Sequence, residues 1–143
     1  MRPPDPERTL TVQQAMPFAA ACEIEALASD PPQVRLRLAW RPELCTSGGV
    51  LHGGALMTLA DAAGGTCAFL NLPEGAAGTT TIESKTNFLR AVREGVVEAV
   101  ASPLHVGRSV IVVETDLLDE RDRRVARTTQ TQAVVWPEGG RSA

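Results

Sequence analysis

The chain has 143 residues, 43% of them hydrophobic and 22% charged, which suits one hydrophobic core and seldom two. A net charge of −3, an aromatic content of 3% and the lack of any tyrosine leave neither a basic footprint nor stacking platforms, so nucleic acid is not an expected partner. No stretch approaches the roughly 20 apolar residues that span a bilayer, and the first residues lack the apolar segment of a signal peptide, so a cytoplasmic location without a membrane partner is expected.

Residues 1–10, rich in proline and charge, and residues 137–143, rich in glycine and polar groups, read as loose tails around a single domain over 11–136. Thr11 to Met16 predicts a short helix, and Phe18 to Leu27 a first strand. Val34, Leu36 and Leu38 alternate with Arg35 and Arg37, the period of a second strand with one wet face, and the turn residues Asp30 to Pro32 precede it. From His52 to Leu70 the sequence is rich in Ala and Leu and has no β-branched run, which predicts the one long helix. At 100° per residue Leu56, Leu59, Ala63 and Leu70 fall opposite Asp61, while Gly54, Met57, Thr58, Gly64, Gly65 and Ala68 share its side. After a loop over Leu72 to Gly78, four strands are expected at Thr79 to Leu89, Val96 to Val106, Ser109 to Leu118 and Val125 to Trp136. Gly107 with Arg108, and Asp119 to Arg123, are hairpin-length connections, so the last strands predict an antiparallel meander. The sum is an α+β fold, an antiparallel sheet of about six strands wrapped around one long helix.

The densest chemistry lies in TSGGVLHGGALMTLAD, Thr46 to Asp61. Gly48, Gly49, Gly53 and Gly54 let the backbone approach a ligand, and the N–H groups of a first helical turn have no intrahelical acceptor. An oxyanion held there meets the positive end of the helix dipole, and losing one such donor costs an enzyme about 3 kcal/mol of transition-state stabilisation. Asp61 stands among Leu59, Ala60, Ala62 and Ala63 with no cation within a turn, so desolvation is expected to raise its pKa toward that of a working base or nucleophile. Gly53 and Asp61 are eight residues apart, about 12 Å along a helix, too far for both to act on one carbonyl. If both act, they come from different chains of a two-fold dimer. The adjacent glycines Gly64 and Gly65 each cost a helix about 1 kcal/mol relative to Ala, which suggests close approach of a neighbour or a ligand. Three cysteines, Cys22, Cys45 and Cys67, form no C-x-x-C pair, and His52 and His105 are far apart, so neither a disulfide framework nor a metal site is suggested.

On GGVLHGGALMTLAD, the strand ending NFLRAVREG, HVGRS and the final TTQTQAVV, the chain from about residue 11 to 136 resembles the hotdog-fold acyl-CoA thioesterases, in the PaaI-like branch of the 4-hydroxybenzoyl-CoA thioesterase superfamily. The resemblance implies that the Gly53 N–H polarises the thioester carbonyl, with His52 shaping the turn and Asp61 of the partner chain acting as general base or nucleophile. It places Thr81 where a Ser or Thr positions water or the acid. It puts Thr46 where the family has Asn or Gln, a departure that shortens the side chain's reach. Ala91 stands near the place of the family's usual Pro. Arg90, Arg93 and Arg108 are the basic residues it offers to CoA phosphates. The substrate is then an acyl-CoA, with no cofactor beyond the CoA of the substrate itself, and the assembly a homodimer that pairs into a dimer of dimers.

Each residue also has a plainer reading. A lone helical Asp is commonly a solvated acid, His52 a hydrogen-bonded turn residue, Thr81 a strand former in TTT, Thr46 a turn residue, and each arginine part of a wet face. No G-x-S-x-G elbow supports a serine hydrolase. Besides a thioesterase, the pattern admits a non-catalytic acyl-CoA sensor, which an unpaired Asp61 argues against. It also admits a hydratase, which would arrange its acid and base around a catalytic His rather than around a His that opens a helix on two glycines.

Overall fold

A computed structural model describes residues 2–139. Its strands are β1 (Glu25–Asp30), β2 (Gln33–Ala39), β3 (Gly78–Phe88), β4 (Val96–Val106), β5 (Val110–Leu118) and β6 (Arg124–Val135), and its helices are α1 (Pro6–Ala15), α2 (Pro17–Ala21) and α3 (Gly53–Leu70). All six strands join one antiparallel sheet in the order β1-β2-β4-β5-β6-β3. The sheet curls around α3, which packs against every strand. Val34, Leu36 and Leu38 of β2, Val97 and Ala99 of β4, and Ile111, Val113 and Leu117 of β5 meet Leu56, Leu59 and Ala63 of α3 in the core. Full burial of each Leu, Ile or Val contributes about 1.5–3 kcal/mol, so this layer is the main stabilising contact between helix and sheet.

The meander appears as β4-β5-β6, and β3 crosses to the far edge to pair with β6, setting Thr81 opposite Gln132 and Phe88 opposite Ala126. Strand β3 therefore runs antiparallel along α3. Its other edge has no strand beside it among the described residues, whereas the edge at β1 is partly covered by α1.

That covering helix overturns the expectation of a loose tail over residues 1–10. Asp5 accepts hydrogen bonds from the N–H groups of Glu7 and Arg8, and Pro6 opens the helix, the start signal that the sequence carried. The Asp5 N–H donates to the Ala26 carbonyl, the Thr9 hydroxyl accepts from the Ala26 N–H, and Arg8 reaches the Ser29 carbonyl and the Asp30 carboxylate. The polar residues thus satisfy the backbone of β1 and do not dissolve into solvent. The expected strand from Phe18 to Leu27 is likewise divided: Pro17 starts the short α2, and the strand begins only at Glu25. In the expected C-terminal tail, residues 140–143 lie outside the described residues. Among the described residues, no helix is long and apolar enough to cross a membrane.

Candidate active site

The helix start is built by two pinned glycines and one histidine. Gly48 and Gly49 have φ of 76° and 69°, the left-handed region in which a side chain is strained. Their carbonyls accept from Arg93 Nη1 at 2.8 Å and from Trp40 Nε1 at 3.1 Å respectively. The loop closes through a bridge between Cys45 and Leu51 and through the Leu51 N–H to the Val92 carbonyl, which brings the chain into His52. His52 caps the helix: its Nδ1 accepts from the Gly54 N–H at 2.8 Å, and its carbonyl accepts from Ala55 and Leu56.

This narrows the expected oxyanion donors. The Gly54 and Ala55 N–H groups are already used, and among the described residues the Gly53 N–H alone in the first turn has no acceptor. A Cβ on Gly53 would stand 3.1 Å from the Phe88 ring, and one on Gly54 would stand 2.9 Å from His52 Nδ1, so both glycines also have packing reasons. Thr46 lies exposed on the loop, its N–H donating to the Val50 carbonyl.

Asp61 lies two turns further along and is exposed in the single chain, so its own subunit does not supply the expected desolvation. Its Oδ1 accepts from Gln130 Nε2 at 3.3 Å and from the Thr81 hydroxyl at 3.4 Å, and Thr81 in turn accepts from Gln132 Nε2 at 2.7 Å. Both glutamines are buried. The sequence reading missed them, although Thr128, Gln130 and Gln132 recur every second residue of β6 between the apolar Ala126 and Val134, the mark of an inward-facing polar stripe.

Met57, Asp61, Gly65 and Phe69 follow at four-residue steps along one outward stripe of α3. The expected faces shift at the flanks. Gly64 and Ala68, assigned to the side of Asp61, are buried, because the sheet curls past the helix equator and β6 lays Gln130 against Gly64. Leu70, assigned to the buried side, is exposed at the helix end.

The arginines separate. Arg93 sits at the helix start and Arg90 follows β3 on that same side, whereas Arg108 stacks on Trp136, 4.9 Å from its ring centroid, near the loop that follows the helix. Burial pushes the Cys67 thiol up to about 11, so it is no nucleophile at neutral pH. Among the described residues, no three His, Cys, Asp or Glu side chains gather to hold a metal ion. A cavity of about 670 Å³ opens beside Asp61, bounded by α1, α3 and the start of β3.

A helix start with one unused amide and, on the same helix, a carboxylate held by neutral donors can polarise a carbonyl and deliver or activate an oxygen nucleophile. Residues 48–126, which contain the Gly-rich loop, α3 and most of the sheet, match the family model of the thioesterase superfamily. The chain belongs to that superfamily. Among relatives of this thioesterase, the 1,4-dihydroxy-2-naphthoyl-CoA hydrolase of Escherichia coli is 34% identical over 87 residues, 61% of this chain and 63% of the relative. The proofreading thioesterase EntH of Cronobacter turicensis is 36% identical over 87 residues, 61% of this chain and 63% of the relative. The crystal structure of a Haemophilus influenzae thioesterase superposes with a TM-score of 0.81 at 27% identity, covering 87% of each chain. The fold is that of the hotdog thioesterases, and the reaction class is thioester hydrolysis.

Proposed function

We propose that the chain hydrolyses acyl-CoA thioesters at two equivalent sites, each made by the Gly53 N–H of one subunit and the partner's Asp61. The observation that carries this reading is a pair of groups on one helix, a first-turn N–H without an acceptor among the described residues and an exposed carboxylate, about 12 Å apart. An antiparallel pairing of two α3 helices about a two-fold axis brings each group to the other's counterpart. The surface supports that pairing. Met57, Phe69, Ile82 and Phe88 are exposed along α3 and β3, beside an open strand edge of 11 residues. Covering this face also removes Asp61 from water.

In the reaction, the Gly53 N–H and the helix dipole stabilise the negative charge that grows on the thioester oxygen. The partner's Asp61 either takes a proton from a water that attacks the carbonyl, or attacks it directly to form an acyl–aspartyl anhydride that a water then cleaves to free the acid and restore the carboxylate; in both cases the C–S bond breaks to release CoA as thiolate, which then takes up a proton. Thr81 orients the carboxylate and His52 maintains the helix start; Thr46 sits on the rim, where its hydroxyl can reach only a ligand close to the loop. In an antiparallel pair the partner's Arg108 joins Arg90 and Arg93 at one end of the site, the basic ring to which we assign the CoA phosphates. A cytoplasmic location goes with this reading, since acyl-CoA substrates are intracellular metabolites.

Release of free thiol, followed with DTNB across a panel of acyl-CoAs, tests the proposal. Wild type is expected to turn over, and Asp61→Asn to lose at least about 10³-fold in kcat while keeping its circular dichroism spectrum. A fully active Asp61→Asn variant overturns the assignment.

A further inference from the structure

Strand β3 changes faces once along its length. Thr86 stands opposite Thr128 and Ser84 opposite Gln130, and both pairs share the face that β6 turns toward α3, where Thr128 and Gln130 are buried. Strict alternation would next turn Ile82 to that face. Instead the register shifts between Thr81 and Glu83: Ile82 has no partner on β6 and is 62% exposed, and Thr81 stands opposite the buried Gln132. A bulge of one residue moves the side chains beyond it to the other face of the strand. Its result here is that a hydroxyl, and not the side chain of Ile82, meets Asp61.

The two hydrogen bonds at Thr81 have a fixed direction. A threonine hydroxyl carries one proton and two lone pairs, an amide nitrogen only donates, and a carboxylate only accepts. Gln132 Nε2 lies 2.7 Å from Thr81 Oγ1, which lies 3.4 Å from Asp61 Oδ1. The amide proton occupies a lone pair of the hydroxyl, so the hydroxyl's own proton is left for the carboxylate. Gln130 Nε2 donates to the same carboxylate oxygen at 3.3 Å, and among the described residues Oδ2 accepts from no group. One oxygen of Asp61 is therefore anchored twice, and the other is left for a water or a carbonyl carbon.

We propose that Gln132 is a positioning residue for the reaction: it commits the one proton of Thr81 to Asp61 Oδ1, and so presents Oδ2 as the reacting oxygen. This rests on the proposed role of Asp61 and deepens it. The bulge at Ile82 belongs to the same device, since without it the Thr81 hydroxyl would sit on the outer face of the sheet. Gln132 also borders the cavity beside Asp61, and a glutamine that only lines a cavity acts on substrate binding and acts there whether or not Thr81 keeps its hydroxyl.

A double-mutant cycle separates the two roles. kcat and KM are measured by thiol release for whichever of acetyl-CoA, octanoyl-CoA and benzoyl-CoA wild type turns over fastest, in full-length wild type, Gln132→Met, Thr81→Val and the double variant. Methionine fills the space of glutamine without a donor, and Thr81 is exposed, so loss of its hydroxyl leaves the fold intact. Each single variant is expected to lose about tenfold in kcat with KM unmoved. In the Thr81→Val background Gln132→Met is expected to lose nothing further, because the group through which it acts is gone. Gln132→Asn keeps a buried amide but withdraws it by one methylene, and it is expected to give the same pattern, so it carries the test if the methionine variant unfolds. Equal losses in both backgrounds, a change confined to KM, or wild-type kcat in the folded Gln132 variants each overturn the inference while leaving hydrolysis intact. Release of thiol from none of the three substrates by wild type removes the proposed hydrolysis, and this inference with it.

Discussion

Among the described residues Asp61 is held by neutral donors and by no cation: the Gln130 amide and the Thr81 hydroxyl, itself steadied by Gln132. Donors of this kind fix a carboxylate's direction without tying up its charge in an ion pair, which suits a base that must accept a proton. The arrangement has a cost, because Gln130 Oε1 is buried without a hydrogen-bond partner among the described residues, a penalty of about 1–3 kcal/mol. Gln130→Leu is therefore expected to melt no earlier than wild type yet to lose about tenfold in kcat with KM unmoved; steady-state kinetics with a thermal melt check both. A variant that is destabilised and fully active contradicts the positioning role. At this scale the sequence displayed Asp61, His52 and Gly53, because a lone acid in an apolar run and a His before two glycines are local signals. It hid Gln130, which reaches Asp61 only where β6 packs on α3, and Gln132, which reaches Thr81 only through the pairing of β6 with β3; they stand 69 and 71 residues from Asp61 in the chain.

Between elements, adjacent glycines answer to different neighbours. Gly64→Ala drives a methyl group into Gln130 and is expected to cost about 1–3 kcal/mol in denaturant unfolding, whereas Gly65→Ala enters open space and gains up to about 1 kcal/mol of helix propensity. The hairpin from β5 to β6 carries a charge cluster: hydrogen bonds from Arg127 and then Arg124 hold the Asp116 carboxyl below the usual carboxylate range. A depressed carboxylate pKa stabilises the fold above its unfolded value near 3.9, and that contribution is lost as pH falls through the folded value. Wild type should thus lose melting temperature below about pH 4 more steeply than Asp116→Asn, and parallel curves for the two contradict this. The long helix and strands β2, β4, β5 and β6 were legible because their apolar periods are long and regular, and β3 because Thr79 to Ile82 is a β-branched run. Of helix α1 only the half from Thr11 was legible: the prolines and charges before it resemble those of a tail, and only the long-range bonds from Asp5, Arg8 and Thr9 to β1 show that they are satisfied inside the fold.

For the whole molecule, the proposed assembly makes one chain half of a site. The unused Gly53 N–H, the exposed Asp61 and the open edge of β3 lie on one face, and a two-fold partner laid across it completes all three. Sequence spacing along the helix was enough to suggest the sharing, because about 12 Å of rise separates the two groups whatever the fold around them. The exposed apolar face was not legible, since Met57, Phe69, Ile82 and Phe88 come from an edge strand and a helix whose exposure depends on how the sheet closes.

Mixing two inactive chains measures the sharing directly. Gly53→Pro deletes the N–H at the first helical position, where proline is tolerated, and His52 already has the extended φ and ψ of −62° and 137° that a following proline requires. The exposed Phe88 ring can yield to the added atoms. Gly53→Pro and Asp61→Asn are each expected to lose about 10²-fold or more in kcat alone. Unfolded together and refolded at equal amounts, they form hybrid dimers in which one site carries both defects and the other neither. The account predicts recovery of about a quarter of wild-type thiol release, one good site in each of the half of dimers that are hybrid. Hybrids shown to form by mass spectrometry but no more active than the parent variants would contradict a site shared between subunits.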